Sequence, residues 1–142
     1  MSAYVDSSFL VSSYITDAHS VRVDACMARS PAVWLTQFNR AELASAIFQQ
    51  VFLKRLTPAD ANQVWSDFRR DCADGVWTAV GFPHNAWETS IDLARRYAPT
   101  LGVRTLDLLH VACALELRAE RFWTFDERQA RLAEAVGLDT NP

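Results

Sequence analysis

The sequence is poor in several residue types and patterns, and each shortage excludes a class of protein. Its 142 residues include only 4 glycines and 5 prolines, so it is neither collagen-like nor of low complexity. The longest stretch without a charged residue runs from Gly75 to Trp87, 13 residues, whereas a membrane-spanning helix needs about 20. The chain does not open with a basic segment and an apolar core, as a signal peptide would. We therefore predict a cytoplasmic protein with no membrane association.

Cysteine and lysine are also scarce. Cys26, Cys72 and Cys113 are odd in number and more than 40 residues apart, which fits neither a zinc site nor a disulfide framework, so we expect three buried thiols. The 14 basic residues are 13 arginines and Lys54, and the 17 acidic residues give a net charge of −3. Bulk attraction to nucleic acid is therefore not expected, and any such binding requires a local basic patch.

The composition that remains is that of a folded globular domain, with 50% apolar and 22% charged residues. Short β-branched or aromatic segments predict strands at 3–5, 33–36, 76–80 and 121–125. Helical periodicity predicts helices over 43–53, over 57–72 and over 87–97, the last ended by Pro99. A further segment, 106–119, is apolar all round, which predicts a buried helix with Thr105 as its N-cap. Strands alternating with helices predict one α/β domain over 1–142, with a central parallel sheet covered on both sides.

Familiar catalytic motifs are missing, including Gly-rich phosphate loops, H-E-x-x-H and the nucleophile elbow. A lone histidine on the buried helix, His110, is expected to be a hydrogen-bonded core residue. Carboxylates in unusual places remain. Asp6 follows the first strand, Asp126 follows the fourth, and Asp107 lies in the first turn of the buried helix. Taken singly, each could cap a helix, complement its dipole or occupy a turn.

Taken together, these acids indicate a metal site. Carboxylates that gather at the carboxyl edge of a parallel sheet repel one another unless a cation lies between them. Oxygen ligands without cysteine or histidine favour Mg²⁺ or Mn²⁺. Glu42 lies opposite the apolar stripe of its helix, so by position alone it is either solvated or directed into a cleft.

Four segments in this order resemble the motifs of the PIN-domain nucleases, in particular the VapC-type toxins of bacterial toxin–antitoxin pairs. They are 4–10 (YVDSSFL), 39–46 (NRAELASA), 106–114 (LDLLHVACA) and 123–129 (WTFDERQ), followed by 132–133 (LA) and 137–138 (GL). The resemblance spans essentially the whole chain. It implies a three-layer α/β/α domain with a sheet of four to five strands, and a Mg²⁺- or Mn²⁺-dependent endoribonuclease acting on loops of tRNA or rRNA.

The resemblance also implies roles for individual residues and partners. The acidic metal site would consist of four catalytic residues: Asp6, Glu42, Asp107 and Asp126. Hydroxyl groups of Ser7 or Ser8 and of Thr124 would orient these acids. The family further implies a homodimer and a cognate VapB-like antitoxin whose C-terminal segment blocks the site.

The acidic net charge conflicts with a polyanionic substrate unless cations lie close to the site. Arg40 and Arg104 each neighbour one of the four acids in sequence, so we expect them to hold RNA phosphates. Three alternatives were weighed from the residues. A receiver domain is disfavoured because Asp6 has no acidic neighbour and the single lysine, Lys54, ends a helix. A non-catalytic PIN-like module is disfavoured by the presence of all four acids, and a nuclease acting on DNA stays open.

Overall fold

A computed structural model describes residues 1–29 and 31–140 of the chain. Within these residues four strands form one sheet: β1 (Ser2–Val5), β2 (Ala32–Leu35), β3 (Thr78–Ala79) and β4 (Arg121–Trp123). The strand order is β3-β2-β1-β4, and every neighbouring pair is parallel. In the register of the sheet, Tyr4 of β1 lies opposite Trp34 of β2 and Phe122 of β4. The predicted α/β fold with a central parallel sheet is confirmed, with four strands.

Seven α-helices accompany the sheet in the described part of the chain. They are α1 (Ser7–Tyr14), α2 (Ser20–Met27), α3 (Gln37–Phe52), α4 (Pro58–Ala73), α5 (Ala86–Leu101), α6 (Thr105–Glu116) and α7 (Glu127–Ala135). The start of α4 follows the sequence prediction, since Thr57 is its N-cap and Pro58 its first residue. Helices α1 and α2 were not predicted, because their short apolar runs are interrupted by serines and by charged residues.

The alternation of side chains along β1 creates a core on each face of the sheet. Ala3 and Val5 pack into one core together with side chains of α1 to α4, whereas Tyr4 packs into the other with side chains of α5 to α7. Helix α6 is buried along 108–114, as its apolar sequence predicts. The sheet is therefore the middle of three layers, and the carboxyl ends of its strands form one edge.

Two predicted boundaries of helices are wrong. Helix α5 continues past Pro99 and ends at Leu101, where Gly102 caps it in a left-handed conformation with φ of 63°. Proline is tolerated there because only the hydrogen bond that residue 99 would donate is lost. Gly102 closes the helix by donating its backbone N–H to the carbonyl of Ala98. The N-cap of α6 is Arg104, with extended backbone angles, and Thr105 is already helical.

Two other expectations need correction. The strand expected at 76–80 is reduced to Thr78–Ala79, at the edge of the sheet, where pairing with β2 alone supports it. Cys26 and Cys113 are buried, but Cys72 is partly exposed on α4. In the described residues, no helix is both long enough and apolar enough to cross a membrane.

Candidate active site

Three of the four predicted acids lie at the N-terminal ends of helices. Asp6 follows β1 and caps α1, with its Oδ1 accepting a hydrogen bond from the backbone N–H of Phe9 at 3.0 Å. Asp126 follows β4 and caps α7, with its Oδ1 accepting from the N–H of Gln129 at 2.9 Å. Because β1 and β4 are adjacent and parallel, these two aspartates lie at the same edge of the sheet.

Asp107 also takes part in capping a helix, from the first turn of α6. Its Oδ2 accepts a hydrogen bond from the backbone N–H of Arg104, the N-cap, at 3.1 Å. The residue therefore satisfies one of the N–H groups that a helix start leaves unpaired. All three aspartates are thus oriented by local backbone geometry, which is set by the sequence around each of them.

The carboxylate of Asp6 is only 2% exposed and is surrounded by hydrogen-bond donors. The hydroxyl of Ser8 lies 2.7 Å from Oδ1 and 2.9 Å from Oδ2, and the hydroxyl of Thr124 donates to Oδ2 at 2.6 Å. Together with the N–H of Phe9, these donors give each oxygen of the Asp6 carboxylate two hydrogen-bond contacts. The orientation of the carboxylate is therefore fixed by its neighbours.

Burial raises the pKa of the Asp6 carboxyl above its ordinary value, while the positive charge of His110 and the hydrogen bonds from Thr124, Ser8 and Phe9 act in the opposite direction. Burial is the largest of these influences. The protein therefore keeps a poorly solvated carboxylate at this edge, and a bound cation would stabilise its charged form.

A chain of hydrogen bonds joins the three aspartates. Thr124 donates to Asp6 and its Oγ1 accepts from the backbone N–H of Asp126 at 2.9 Å. The side chain of Gln129, whose backbone N–H is bound to Asp126, donates through Nε2 to Asp107 Oδ1 at 3.0 Å. Gln129 is buried, and among the residues that the structure describes its Oε1 has no hydrogen-bond partner. Sequence reasoning missed Gln129, since nothing local distinguishes it from the other polar residues of α7.

Glu42 is held by a different route, through buried side chains. Its Oε1 is in close contact with His110 Nε2, and the other ring nitrogen of His110 lies 2.9 Å from the hydroxyl of Tyr4. The ring of Phe38 stacks on His110, with centroids 4.4 Å apart. His110 is therefore hydrogen-bonded and buried as expected, but it also fixes the orientation of Glu42, which sequence reasoning did not predict.

Two surface clefts meet at this edge of the sheet. The acidic cleft has a volume of about 440 Å³ and is lined by Ser7, Glu42, Arg104, Thr105, Leu106, Asp107, His110 and Gln129. The serine cleft has a volume of about 360 Å³ and is lined by Ser7, Ser8, Val11, Ser12, Asp17, His19, Phe125 and Asp126. Ser7 lines both clefts, and within the described residues its hydroxyl has no hydrogen-bond partner.

The predicted arginines are placed differently. Arg104 lines the acidic cleft, whereas Arg40 is not among its lining residues. Burial raises the pKa of the Cys72 thiol of α4, and the nearby charge of Arg40 opposes that rise. Two residues along a helix turn the side chain by about 200°, so Arg40 and Glu42 leave α3 on opposite sides. A contact of Arg40 with RNA stays a prediction. Ser8 and Thr124 contact Asp6, and Ser7 does not.

The donors at this edge fit a hard divalent cation that keeps part of its water shell. Among residues 1–29 and 31–140, no three carboxylate, imidazole or thiol groups are close enough to hold a metal between them directly. Mg²⁺ commonly binds through one or two carboxylates and several waters. The carboxylates of Glu42 and Asp107 in the acidic cleft, together with the Oε1 of Gln129, offer oxygen ligands of that kind.

Comparison with known proteins gives both a family and similar folds. Three solved structures each align over 99% of this chain. VapBC2 from Rickettsia felis, bound to a DNA fragment from their promoter, has 14% identity and a TM-score of 0.69, with 98% of that chain covered. VapC20 from Mycobacterium tuberculosis, a sarcin–ricin loop cleaving toxin, has 16% identity and a TM-score of 0.70 over 99% of that chain, and FitAcB from Neisseria gonorrhoeae has 17% identity and a TM-score of 0.74 over 97% of that chain. Comparison with curated protein sequences gives no match. The sequence profile of the PIN domain matches residues 3–135, and the chain therefore belongs to the PIN domain family.

Proposed function

We propose that this protein is a metal-dependent endoribonuclease and the toxin of a toxin–antitoxin pair. The observation that carries the proposal is the hydrogen-bonded chain from Asp6 through Thr124, Asp126 and Gln129 to Asp107. It links three acids of separate segments around two open clefts. The fold it shares with VapC20, a sarcin–ricin loop cleaving toxin, supports RNA as the substrate and an exposed loop as the target, since bases are accessible there.

In this proposal, Asp6, Glu42, Asp107 and Asp126 hold Mg²⁺ or Mn²⁺, directly or through water. A bound ion of this kind lowers the pKa of a water molecule and stabilises the negative charge that develops on a phosphodiester. Ser8 and Thr124 keep the Asp6 carboxylate in one orientation by donating to it.

In the acidic cleft, Arg104 binds the substrate and Glu42 accepts a proton. The guanidinium of Arg104, which is exposed at the rim, binds a phosphate of the RNA through two N–H groups. Glu42, held by His110 through Oε1, accepts the proton of the attacking water through its other oxygen. No side chain needs to act as a nucleophile.

The partners in the proposal are a cognate VapB-like antitoxin and a second copy of this chain. Large apolar side chains remain exposed on α3 and α5, with Phe52 of α3 at 85%, and Trp87 and Ile91 of α5 at 54% and 52%. Exposed apolar groups of this size are typical of surfaces that another chain covers. They support contacts with a protein partner, in addition to the RNA site.

The test compares the wild type with Asp6→Asn. Asparagine caps a helix as well as aspartate does, so the variant removes the charge and keeps the start of α1. Purified protein is incubated with total RNA in Mg²⁺, in Mn²⁺ and in EDTA, and the new RNA ends are mapped by sequencing. We expect new ends with the wild type in either metal, none in EDTA, and a loss of roughly a hundredfold or more in Asp6→Asn.

The matched control is Asp92→Asn on the exposed face of α5, which should cleave like the wild type. Equal cleavage by Asp6→Asn and the wild type, or cleavage that persists in EDTA, would contradict the proposal. If the protein cleaves single-stranded DNA in preference to RNA under the same conditions, the substrate is DNA and not RNA.

A further inference from the structure

An exposed imidazole, that of His19, forms one wall of the serine cleft. Its ring lies parallel to the ring of Phe125, with centroids 4.3 Å apart and an angle of 8° between the planes. Phe125 is itself fixed by the ring of Phe9 at 5.6 Å and by the guanidinium of Arg22 at 5.3 Å. Among the described residues, Phe125 is the single ring that stacks on His19. Phe125 therefore covers one face of the imidazole, and the other face can stack on a further planar group.

The polar groups of the serine cleft select the kind of ligand. Asp17 accepts hydrogen bonds from the hydroxyl of Ser12 at 2.7 Å and from the backbone N–H of His19 at 2.8 Å, which fixes its carboxylate in the cleft. With Asp126 also in the lining, the cleft repels a phosphate. A neutral planar ligand that carries amino donors would instead satisfy the remaining acceptor positions of these acids.

The position of the cleft relates it to the proposed chemistry. Ser7 is shared between the serine cleft and the acidic cleft, so the two are neighbours along one surface. A nucleic-acid strand that crosses Ser7 with a phosphate beside Arg104 brings an adjacent base to the serine cleft. The volume of about 360 Å³ lies within the range of small-ligand sites, roughly 300–1,000 Å³.

We propose that the serine cleft binds one nucleobase of the RNA substrate, stacked on His19 with its amino edge toward Asp17. The base is adenine, cytosine or guanine, since these carry an exocyclic amino group and uracil does not. This inference rests on the proposed function and adds to it a base-binding site beside the place of cleavage. His19 is then a determinant of where the strand is cut.

The experiment measures binding without cleavage. A fluorescein-labelled single-stranded RNA is titrated in EDTA. A series of the same strand, in which one abasic position moves along it, is titrated in the same way. Fluorescence anisotropy is recorded for the wild type, His19→Ala and His19→Phe. Loss of a base–aromatic stack costs about 1–3 kcal/mol, so we expect His19→Ala to bind from about fivefold to about 150-fold more weakly, and His19→Phe to bind within about twofold of the wild type.

The abasic series identifies the base that stacks. In the wild type one abasic position should weaken binding most, and in His19→Ala the same position should cost nothing further, because the two changes remove one contact. His84→Ala, another exposed histidine outside both clefts, is the matched control and should bind like the wild type.

Two negative results are distinguishable. If the wild type cleaves RNA in Mg²⁺ but His19→Ala binds it as tightly as the wild type does, the base site is wrong and the nuclease proposal stands. If the wild type neither binds nor cleaves RNA, the proposed function fails and the base site fails with it. The stacking role is also overturned if His19→Phe and His19→Ala weaken RNA binding equally and no abasic position weakens binding more than the others.

Discussion

Asn39 is a buried side chain that ties the start of α3 to the end of β1, and its replacement by alanine should cost a large part of the stability. Its Oδ1 accepts hydrogen bonds from the backbone N–H and the hydroxyl of Thr36, both at 2.8 Å, and from the hydroxyl of Tyr4 at 3.2 Å. Its Nδ2 donates to the carbonyl of Val5 at 2.7 Å. The residue is 0% exposed, so water does not replace these partners.

The size of the effect follows from the groups that are left behind. In Asn39→Ala, the backbone N–H and the hydroxyl of Thr36 lose their acceptor and the carbonyl of Val5 loses a donor, while the hydroxyl of Tyr4 keeps His110. A buried polar group without a partner costs about 1–3 kcal/mol, so three such groups cost about 3–9 kcal/mol, and less where the Thr36 hydroxyl rotates to another acceptor. We expect a loss of about 4 kcal/mol, against a total of about 5–15 kcal/mol for a typical domain.

The measurement is urea unfolding at neutral pH, with the free energy of unfolding extrapolated to water. Asn85→Ala is the control, since Asn85 is exposed at the start of α5 and its side chain makes no capping hydrogen bond. It should change the stability by less than about 0.5 kcal/mol. If Asn39→Ala lies within about 1 kcal/mol of the wild type, the reasoning that this buried link holds β1 against α3 is refuted.

Three further outcomes are expected. Mn²⁺ should raise the thermal unfolding midpoint of the wild type but not that of Asp6→Asn, because an ion bound only by the native state stabilises it. The hydroxyl of Ser12 holds the pKa of Asp17 below its ordinary value. The stability that Asp17 contributes is therefore complete above about pH 3.9, and it is lost as the pH falls through the lower pKa of the folded state. Urea unfolding in acid should show a smaller loss of stability for Ser12→Ala than for the wild type. Iodoacetamide should label Cys72 before Cys113, detected by peptide mass spectrometry, since burial raises the pKa of Cys113 to about 12.

The positions of Asp6 and Asp126 could be predicted from the sequence because each comes within three residues of the end of a strand. Parallel strands bring their carboxyl ends to one edge whatever the loops between them do, so the order of elements was enough. The buried helix α6 could be predicted for a similar reason, since apolar residues on all sides of a helix leave no face for water.

The partners of the acids could not be predicted in the same way. Gln129 joins Asp107 over 22 residues, and His110 reaches Glu42 over 68, and no local period marks such pairs. The stack of His19 on Phe125 likewise depends on how α2 packs beside the end of β4. The wrong boundary at Pro99 has another cause: a proline in the last turn of a helix removes only one hydrogen bond, the one that its own nitrogen would donate to the carbonyl four residues earlier.

The capping roles of the aspartates and their proposed metal-binding role support each other. A capping carboxylate uses part of its acceptor capacity on a backbone N–H, and it also lies at the positive end of a helix dipole. Asp6, Asp107 and Asp126 each have such a helix start, and Glu42 has His110 instead. Every acid at this edge is therefore partly compensated by its own partner, which reduces the repulsion among the four before an ion binds. The same arrangement explains why substitution by asparagine, which keeps the cap and removes the charge, separates the function of these residues from their contribution to the fold.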